Sequence, residues 1–377
     1  MSSFDIKRYF PFKEIREQQQ QAIQFALNSF LNDNKKYVII EAGTGVGKSA
    51  VGYTVSKYIN NHVSAEEDYE NGSWFLTTQK ILQAQYLRDF KTRKMRSVKS
   101  SKNHTCTFNN QSNCKDGQLL LRNVDKKTHQ WKTCVLKCPY KKEKKEFLDA
   151  SESVTNFSYF LAESNFSGKI GPRKLLVVDE AHNIENELSK FIEINISERF
   201  AKSILKLKWP RKSTQFQVVK WVQEQYYPQA VIRLQHMEEM IEKMGLGSRL
   251  EELKKIATTF EMLSGHVEKM KLFLSNYDKD NWIMEEVHGE GRAKRKFVFR
   301  PIDVSPWTQK YLFRCGQKIL MMSATILNKD AFCDNLGIAR EEAAFISIPS
   351  PFPIENRLIH YFPVCKMSAK EIDRTLP

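Results

Sequence analysis

Residues 37–49 read Tyr37-Val38-Ile39-Ile40-Glu41-Ala42-Gly43-Thr44-Gly45-Val46-Gly47-Lys48-Ser49. The first four are aromatic or β-branched and uniformly apolar, the signature of a short strand buried on both faces. The residues after Ile40 are rich in glycine and end on Lys-Ser, and that order reads as a phosphate-binding loop. Glycines let backbone N–H groups converge on phosphate oxygens, Lys48 offsets the β/γ charge, Ser49 can ligate Mg²⁺, and the next helix presents its positive end. Gly43, Thr44, Gly45, Val46, Gly47, Lys48 and Ser49 are therefore the candidate nucleotide-binding residues. Ala42 stands where the strictest pattern has its first glycine. A glycine-rich turn without a ligand is the structural alternative, and the strand ahead of the loop argues against it.

Two further runs have the same form. Lys174-Leu175-Leu176-Val177-Val178 ends in Asp179-Glu180-Ala181-His182, and Lys318-Ile319-Leu320-Met321-Met322 ends in Ser323-Ala324-Thr325. Acids at a strand end suit the chemistry: Asp179 would hold Mg²⁺ through its waters and Glu180 would polarise an attacking water. Alone, such a pair equally describes a solvated helix start, and Ser323 and Thr325 equally describe helix caps. Together the three runs predict an α/β fold, with a parallel sheet flanked by helices and a triphosphate gripped at the ends of neighbouring strands.

The order AGTGVGKS, DEAH, SAT resembles the first half of a superfamily 2 helicase core, a RecA-like domain. Near the N-terminus, Phe10-Pro11-Phe12-Lys13-Glu14-Ile15-Arg16-Glu17-Gln18-Gln19 is similar to the adenine-reading segment of the iron–sulfur helicases related to XPD and DinG. That resemblance implies base contacts by Arg16 and Gln19. Ser101–Cys106, Cys138-Pro139-Tyr140, Val154–Phe157 and Ser350–Arg357 resemble the same group in the same order, so the likeness spans nearly the whole chain. It implies coupling roles for His182, Ser323 and Thr325. It also implies backbone contacts to DNA by the segment Thr77, Thr78, Gln79 and by Thr155 and Asn156; caps or turns are the alternative there.

Four of the seven cysteines, Cys106, Cys114, Cys134 and Cys138, fall in one short segment. A chain without a secretory signal keeps its thiols reduced, so metal binding is a better reading than disulfides. The resemblance implies a [4Fe–4S] cluster on these four. Cys106 to Cys114 is tight and three residues separate Cys134 from Cys138, a departure from XPD that leaves zinc open.

The formal charge is +15, with 41% hydrophobic and 27% charged residues. Such a field attracts polyanions, and it is densest from Lys91 to Lys145, where Arg93, Lys94, Arg96, Lys99 and Lys102 precede Lys126, Lys127, Lys141, Lys142, Lys144 and Lys145. No apolar run approaches the roughly 18 residues needed to span a bilayer, so no membrane partner is expected. The expected location is cytoplasm or nucleoid, or the nucleus in a eukaryote.

Between Ile184 and Phe297 the spacing changes to helices. Leu234, Met237, Ile241 and Met244 repeat at three and four residues, as do Leu253, Ile256, Phe260, Leu263, Val267, Met270 and Leu274. The pattern predicts two antiparallel helices joined near Gly245 and Gly247, and the resemblance implies that they form the helical arch over single-stranded DNA. Trp282–Val287 and Lys296–Phe299 around Gly289 and Gly291 predict a hairpin that returns the chain to the sheet.

The expected organisation is a first motor domain in three parts, 1–95, 151–188 and 297–357. It would be interrupted by a cysteine-rich iron–sulfur insertion at 96–150 and the helical arch at 189–296, with 358–377 as the start of a second motor domain. The expected function is an ATP hydrolase and DNA helicase using ATP and Mg²⁺, moving 5′ to 3′ on single-stranded or fork DNA. The single chain would bind ATP, hydrolyse it feebly and need a second motor domain to unwind. A nucleotide-gated binding module without motor activity is the rival, and an RNA-directed ATPase, which usually lacks a cysteine segment, is the more distant one.

Overall fold

The computed structural model describes residues 4–90, 93–107, 113–121, 125–211, 214–243, 250–288, 295–353 and 355. Met244, Gly245, Gly247, Gly289, Gly291, Cys365 and residues 356–377 lie outside them, as does the side chain of Leu253.

Ten strands are described: β1 (Tyr37–Ala42), β2 (Glu70–Thr77), β3 (Arg96–Ser97), β4 (Glu152–Asn156), β5 (Arg173–Asp179), β6 (Ile194–Ser197), β7 (Trp282–Val287), β8 (Lys296–Pro301), β9 (Gly316–Ser323) and β10 (Ala343–Ile348). Seven form one parallel sheet in the order β10-β1-β9-β5-β2-β4-β3. Alternation within the apolar runs feeds two cores, one on each face. Val38, Ile40, Leu175, Val177, Leu320 and Met322 point to one, and Tyr37, Ile39, Leu176, Val178, Ile319 and Met321 to the other. Every residue of β5 is buried, as expected of a central strand covered on both faces. The expected RecA-like α/β fold is what the chain adopts.

One expectation needs correction. The strand of the phosphate loop and the strand of the acids are not neighbours, because β9 lies between them and pairs with both (Ile39↔Met321, Val177↔Leu320). Strands in a sheet are about 5 Å apart, so the ends of β1 and β5 stand roughly 10 Å apart, with Ser323 at the end of the strand between them.

Helices α1 (Glu17–Leu31), α2 (Lys48–His62) and α3 (Lys80–Phe90) contribute apolar side chains to the first core. The cysteine segment forms α4 (Cys114–Leu120), α5 (His129–Lys137) and α6 (Pro139–Asp149), and α7 (Phe157–Asn165) and α8 (Ile184–Ile192) pack on the second core. The middle of the chain adds α9 (Glu198–Ser203), α10 (Gln215–Trp221), α11 (Tyr227–Lys243) and α12 (Leu250–Asn276). Helices α11 and α12 pack on one another through the predicted stripe: Met237, Ile241, Phe260, Leu263, Val267 and Met270 are buried. At 27 residues α12 runs about 40 Å. Helices α13 (Ser305–Tyr311) and α14 (Lys329–Asn335) flank β9 in sequence.

The hairpin departs from expectation. Strands β7 and β8 pair antiparallel as read, but they join β6 in a separate three-stranded sheet, β6-β8-β7, and not the main one. The reason is burial: Phe297 and Phe299 meet Trp209 and Phe273, which belong to the helical segment.

Candidate nucleotide site

The phosphate loop leaves β1 and enters α2 through two left-handed glycines, Gly45 and Gly47, both at φ +88°. Side chains rarely adopt that conformation, and neither position has room for one. A Cβ on Gly47 would lie 2.5 Å from Gln19 Nε2, and one on Gly45 would lie 2.3 Å from the Phe352 ring. Arg16 and Gln19 stand at the start of α1. The Arg16 guanidinium donates to the Gly45 carbonyl at 2.7 Å, while Gln19 is buried and accepts from the Arg16 backbone N–H at 3.1 Å. Both residues therefore rest against the loop itself.

A cleft of about 620 Å³ gathers Arg16, Gln19, Thr44, Gly45, Gly47, Lys48, Ser49, Asp179 and Glu180. Ser49 and Asp179, far apart in sequence, line the same space. Lys48 Nζ is 3.7 Å from Glu180 Oε1. Asp179 is buried, which pushes its carboxyl above the usual carboxylate range, while the Lys48 charge pulls it back. Glu180 takes φ +54°, ψ +49°, a left-handed conformation costly for a residue with a side chain. His182 Nδ1 lies 2.6 Å from Ser323 Oγ. Asn183 Nδ2 lies 2.8 Å from the other ring nitrogen, Nε2, so the imidazole is held at both ends. Ser323 Oγ also accepts from the Thr325 N–H at 3.2 Å.

The other predicted contacts separate. Thr77 and Asn156 are register partners at the ends of adjacent strands β2 and β4, so Thr78, Gln79 and Asn156 share one edge of the sheet. Thr155 is fully buried and donates to the Val98 carbonyl, away from any surface, and Asn156 caps α7 by accepting from the Tyr159 N–H at 3.0 Å.

All four clustered cysteines are buried. Cys114 Sγ and Cys138 Sγ are 3.3 Å apart, and burial followed by that contact pushes the Cys114 thiol up to about 12. Gly117 lies against Cys106, where a Cβ would come within 2.3 Å of the sulfur. Among the described residues, no group of three or more His, Cys, Asp or Glu stands arranged to hold a metal ion. The four are buried thiols, the donor type that soft metals take, but of their sulfurs only Cys114 and Cys138 are seen in contact.

Several site residues escaped the sequence reading. Tyr86 hydrogen-bonds Asp179 from α3, and Leu82, Gln85 and Asp89 on that helix line the cleft. Glu41 Oε2 accepts the N–H groups of Ile326 and Leu327 at 2.7 and 2.6 Å, tying β1 to the loop after Ser323. Ser350 Oγ donates to the Thr44 carbonyl at 3.2 Å. Only Ser350 and Phe352 carried a signal, through the resemblance of their segment.

A phosphate loop, strand-end acids and a parallel sheet covered on both faces define a nucleotide-triphosphatase domain of the helicase type. Residues 12–208 match the family described as type III restriction enzyme, res subunit, which is a helicase-like domain of superfamily 2. The match covers more than half of the chain, and the chain belongs to that family. No curated protein matches it. Membership makes it a helicase-like, ATP-dependent nucleic-acid motor domain. Among the described residues no helix is long and apolar enough to cross a membrane.

Proposed function

We propose that this chain is the ATP-binding motor domain of a DNA helicase that moves 5′ to 3′ on single-stranded DNA, in repair, recombination or replication. The observation that carries the reading is the shared cleft of Lys48, Ser49, Asp179 and Glu180 beside Arg16 and Gln19. In this reading the N–H groups of the 43–49 loop cradle the phosphates, and Arg16 and Gln19 set the base side. Ser49 and Asp179 would hold Mg²⁺, which when bound would supply positive charge to the phosphates. Lys48 exchanges its ion pair with Glu180 for the phosphate, and the freed Glu180 orients and deprotonates the attacking water.

His182 and Ser323 then report the state of the acid strand to β9. DNA lies along the edge bearing Thr78, Gln79 and Asn156, held through its backbone and so without sequence preference. Among the described residues Arg16 is the one arginine lining the cleft, and it is engaged with Gly45. An arginine from a second motor domain, in cis or in trans, would complete the site for efficient turnover. The motor is built around 1–95, 151–188 and 297–357, with β3 completing its sheet at the start of the 96–150 insertion and β8 belonging with the arch, 189–296. Cys106, Cys114, Cys134 and Cys138 hold a [4Fe–4S] cluster that staples the insertion, with zinc as the alternative, and the protein works wherever the chromosome lies.

The test is nucleotide binding and then turnover. Lys48→Ala should weaken ATP binding by more than about tenfold, the loss of a charge-assisted contact. Glu180→Gln should bind normally and not hydrolyse. Single-strand-stimulated ATPase should appear when a second motor domain is supplied. Unchanged ATP affinity in Lys48→Ala removes the nucleotide site, and ATP binding without any stimulation favours a gated binding module.

A further inference from the structure

The geometry points to Tyr86 as the positioning residue for Asp179, a hydroxyl that aims the metal-holding carboxylate and ties it to the helix leading from the nucleic-acid edge. This rests on the nucleotide-site reading above. Each oxygen of Asp179 has one donor: the Tyr86 hydroxyl reaches Oδ2 at 3.1 Å, and the Glu180 N–H reaches Oδ1 at 3.0 Å. A carboxylate so held cannot rotate about its terminal bond, and its remaining lone pairs keep one direction.

The tyrosine is itself immobile. It is 2% exposed, and its ring packs on Phe75 and Phe90 with centroids 5.8 Å away in each case. Such a ring has no room to change rotamer, so the hydroxyl sits wherever α3 sits. Helix α3 starts at Lys80, directly after Thr78 and Gln79. One turn before Tyr86, the buried Gln83 amide donates to the Val98 carbonyl at 2.9 Å and touches Ser97, where β3 leads into the cysteine segment. Thr155, at the far side of that segment, bonds the same carbonyl. One short helix thus joins the sheet edge, the base of the insertion and the metal-holding acid.

Tyr86→Phe keeps the ring packing and removes only the hydroxyl. In the full chain, a fluorescent ATP analogue is titrated with and without Mg²⁺, and melting is monitored in parallel. Tyr86→Phe should bind the analogue like wild type without Mg²⁺, need about tenfold more Mg²⁺ for half-maximal tightening, and melt near the wild-type temperature. Leu27→Ala, which loosens the same core from α1 and leaves the Phe75 and Phe90 rings beside Tyr86 in place, should melt lower with its Mg²⁺ requirement unchanged. A wild-type Mg²⁺ requirement in Tyr86→Phe overturns the proposal, as does an equal shift in Leu27→Ala, which would make the effect one of general stability. Absence of Mg²⁺-dependent tightening in the wild-type chain instead removes the nucleotide site beneath it.

Discussion

His182 and Ser323, 141 positions apart in sequence, meet at 2.6 Å between Nδ1 and Oγ. Because β9 pairs with β5, the histidine after the acids and the serine that ends β9 lie at adjacent strand ends. Ser323 Oγ in turn accepts from the Thr325 N–H, which connects the histidine to the loop Ala324–Leu327. Ser323→Ala should leave ATP affinity intact and lower stability by about 1 kcal/mol, the worth of one hydrogen bond. It should also abolish the change in single-stranded DNA affinity that a nonhydrolysable ATP analogue produces, read by fluorescence anisotropy. Retained nucleotide-dependent DNA affinity would show that the pair does not couple the two ligands.

The insertion and the helical segment are linked by a second relationship. Lys115 on α4 pairs with Glu261 on α12 at 2.5 Å, and the two helices pack on one another. Both side chains are partly exposed, so solvent screening limits the pair to between a few tenths and about 1 kcal/mol. A double-mutant cycle of Lys115→Ala and Glu261→Ala, read by urea denaturation at two salt concentrations, should give a coupling in that range that shrinks with salt. A zero coupling at low salt would separate the two modules.

His266 predicts a pH dependence. It is partly buried on α12 against Tyr226, whose hydroxyl lies 2.9 Å from Nε2, and desolvation lowers its pKa from 6.5 to about 4. In the folded chain the imidazole stays neutral between those values, while the unfolded chain takes up a proton. Stability therefore falls as pH drops from about 6.5 to about 4, by up to about 3 kcal/mol, and this contribution is fully present above pH 6.5. Denaturation midpoints measured across that range should slope accordingly, and His266→Phe should flatten the slope.

The cysteines make an analytical prediction. Protein purified without oxygen should carry iron and sulfide and absorb in the visible, and Cys138→Ser should lose both the metal and the colour. Its melting temperature should drop, because a group ligated by thiolates from Cys106 to Cys138 would cross-link the segment between them. A colourless protein with one zinc would assign the other metal, and a metal-free wild-type chain would make the four thiols merely buried.

Much of this molecule could be read along the chain. The runs 37–40, 174–178 and 318–322 are apolar enough to demand burial on both faces, and each ends in polar residues that a parallel sheet must place on one edge. The helical stripe from Phe260 to Met270 was equally legible, since its spacing has one physical meaning. Partners in space were not. Nothing near Tyr86 marks it as a partner of Asp179, because a tyrosine in an amphipathic helix reads as core, and Thr155 looked like a surface contact until β4 buried it.

By itself the sequence determined the nature of the strands, the loop between β1 and α2, and which chemical groups cap the strand ends, all of which depend on local spacing and residue type. Tertiary structure alone decided that β9 slips between β1 and β5, that the hairpin joins β6 in its own sheet, and that Tyr86 holds the acid. The physical reason is that strand order and side-chain partners are chosen by burial between segments remote along the chain, where periodicity carries no information.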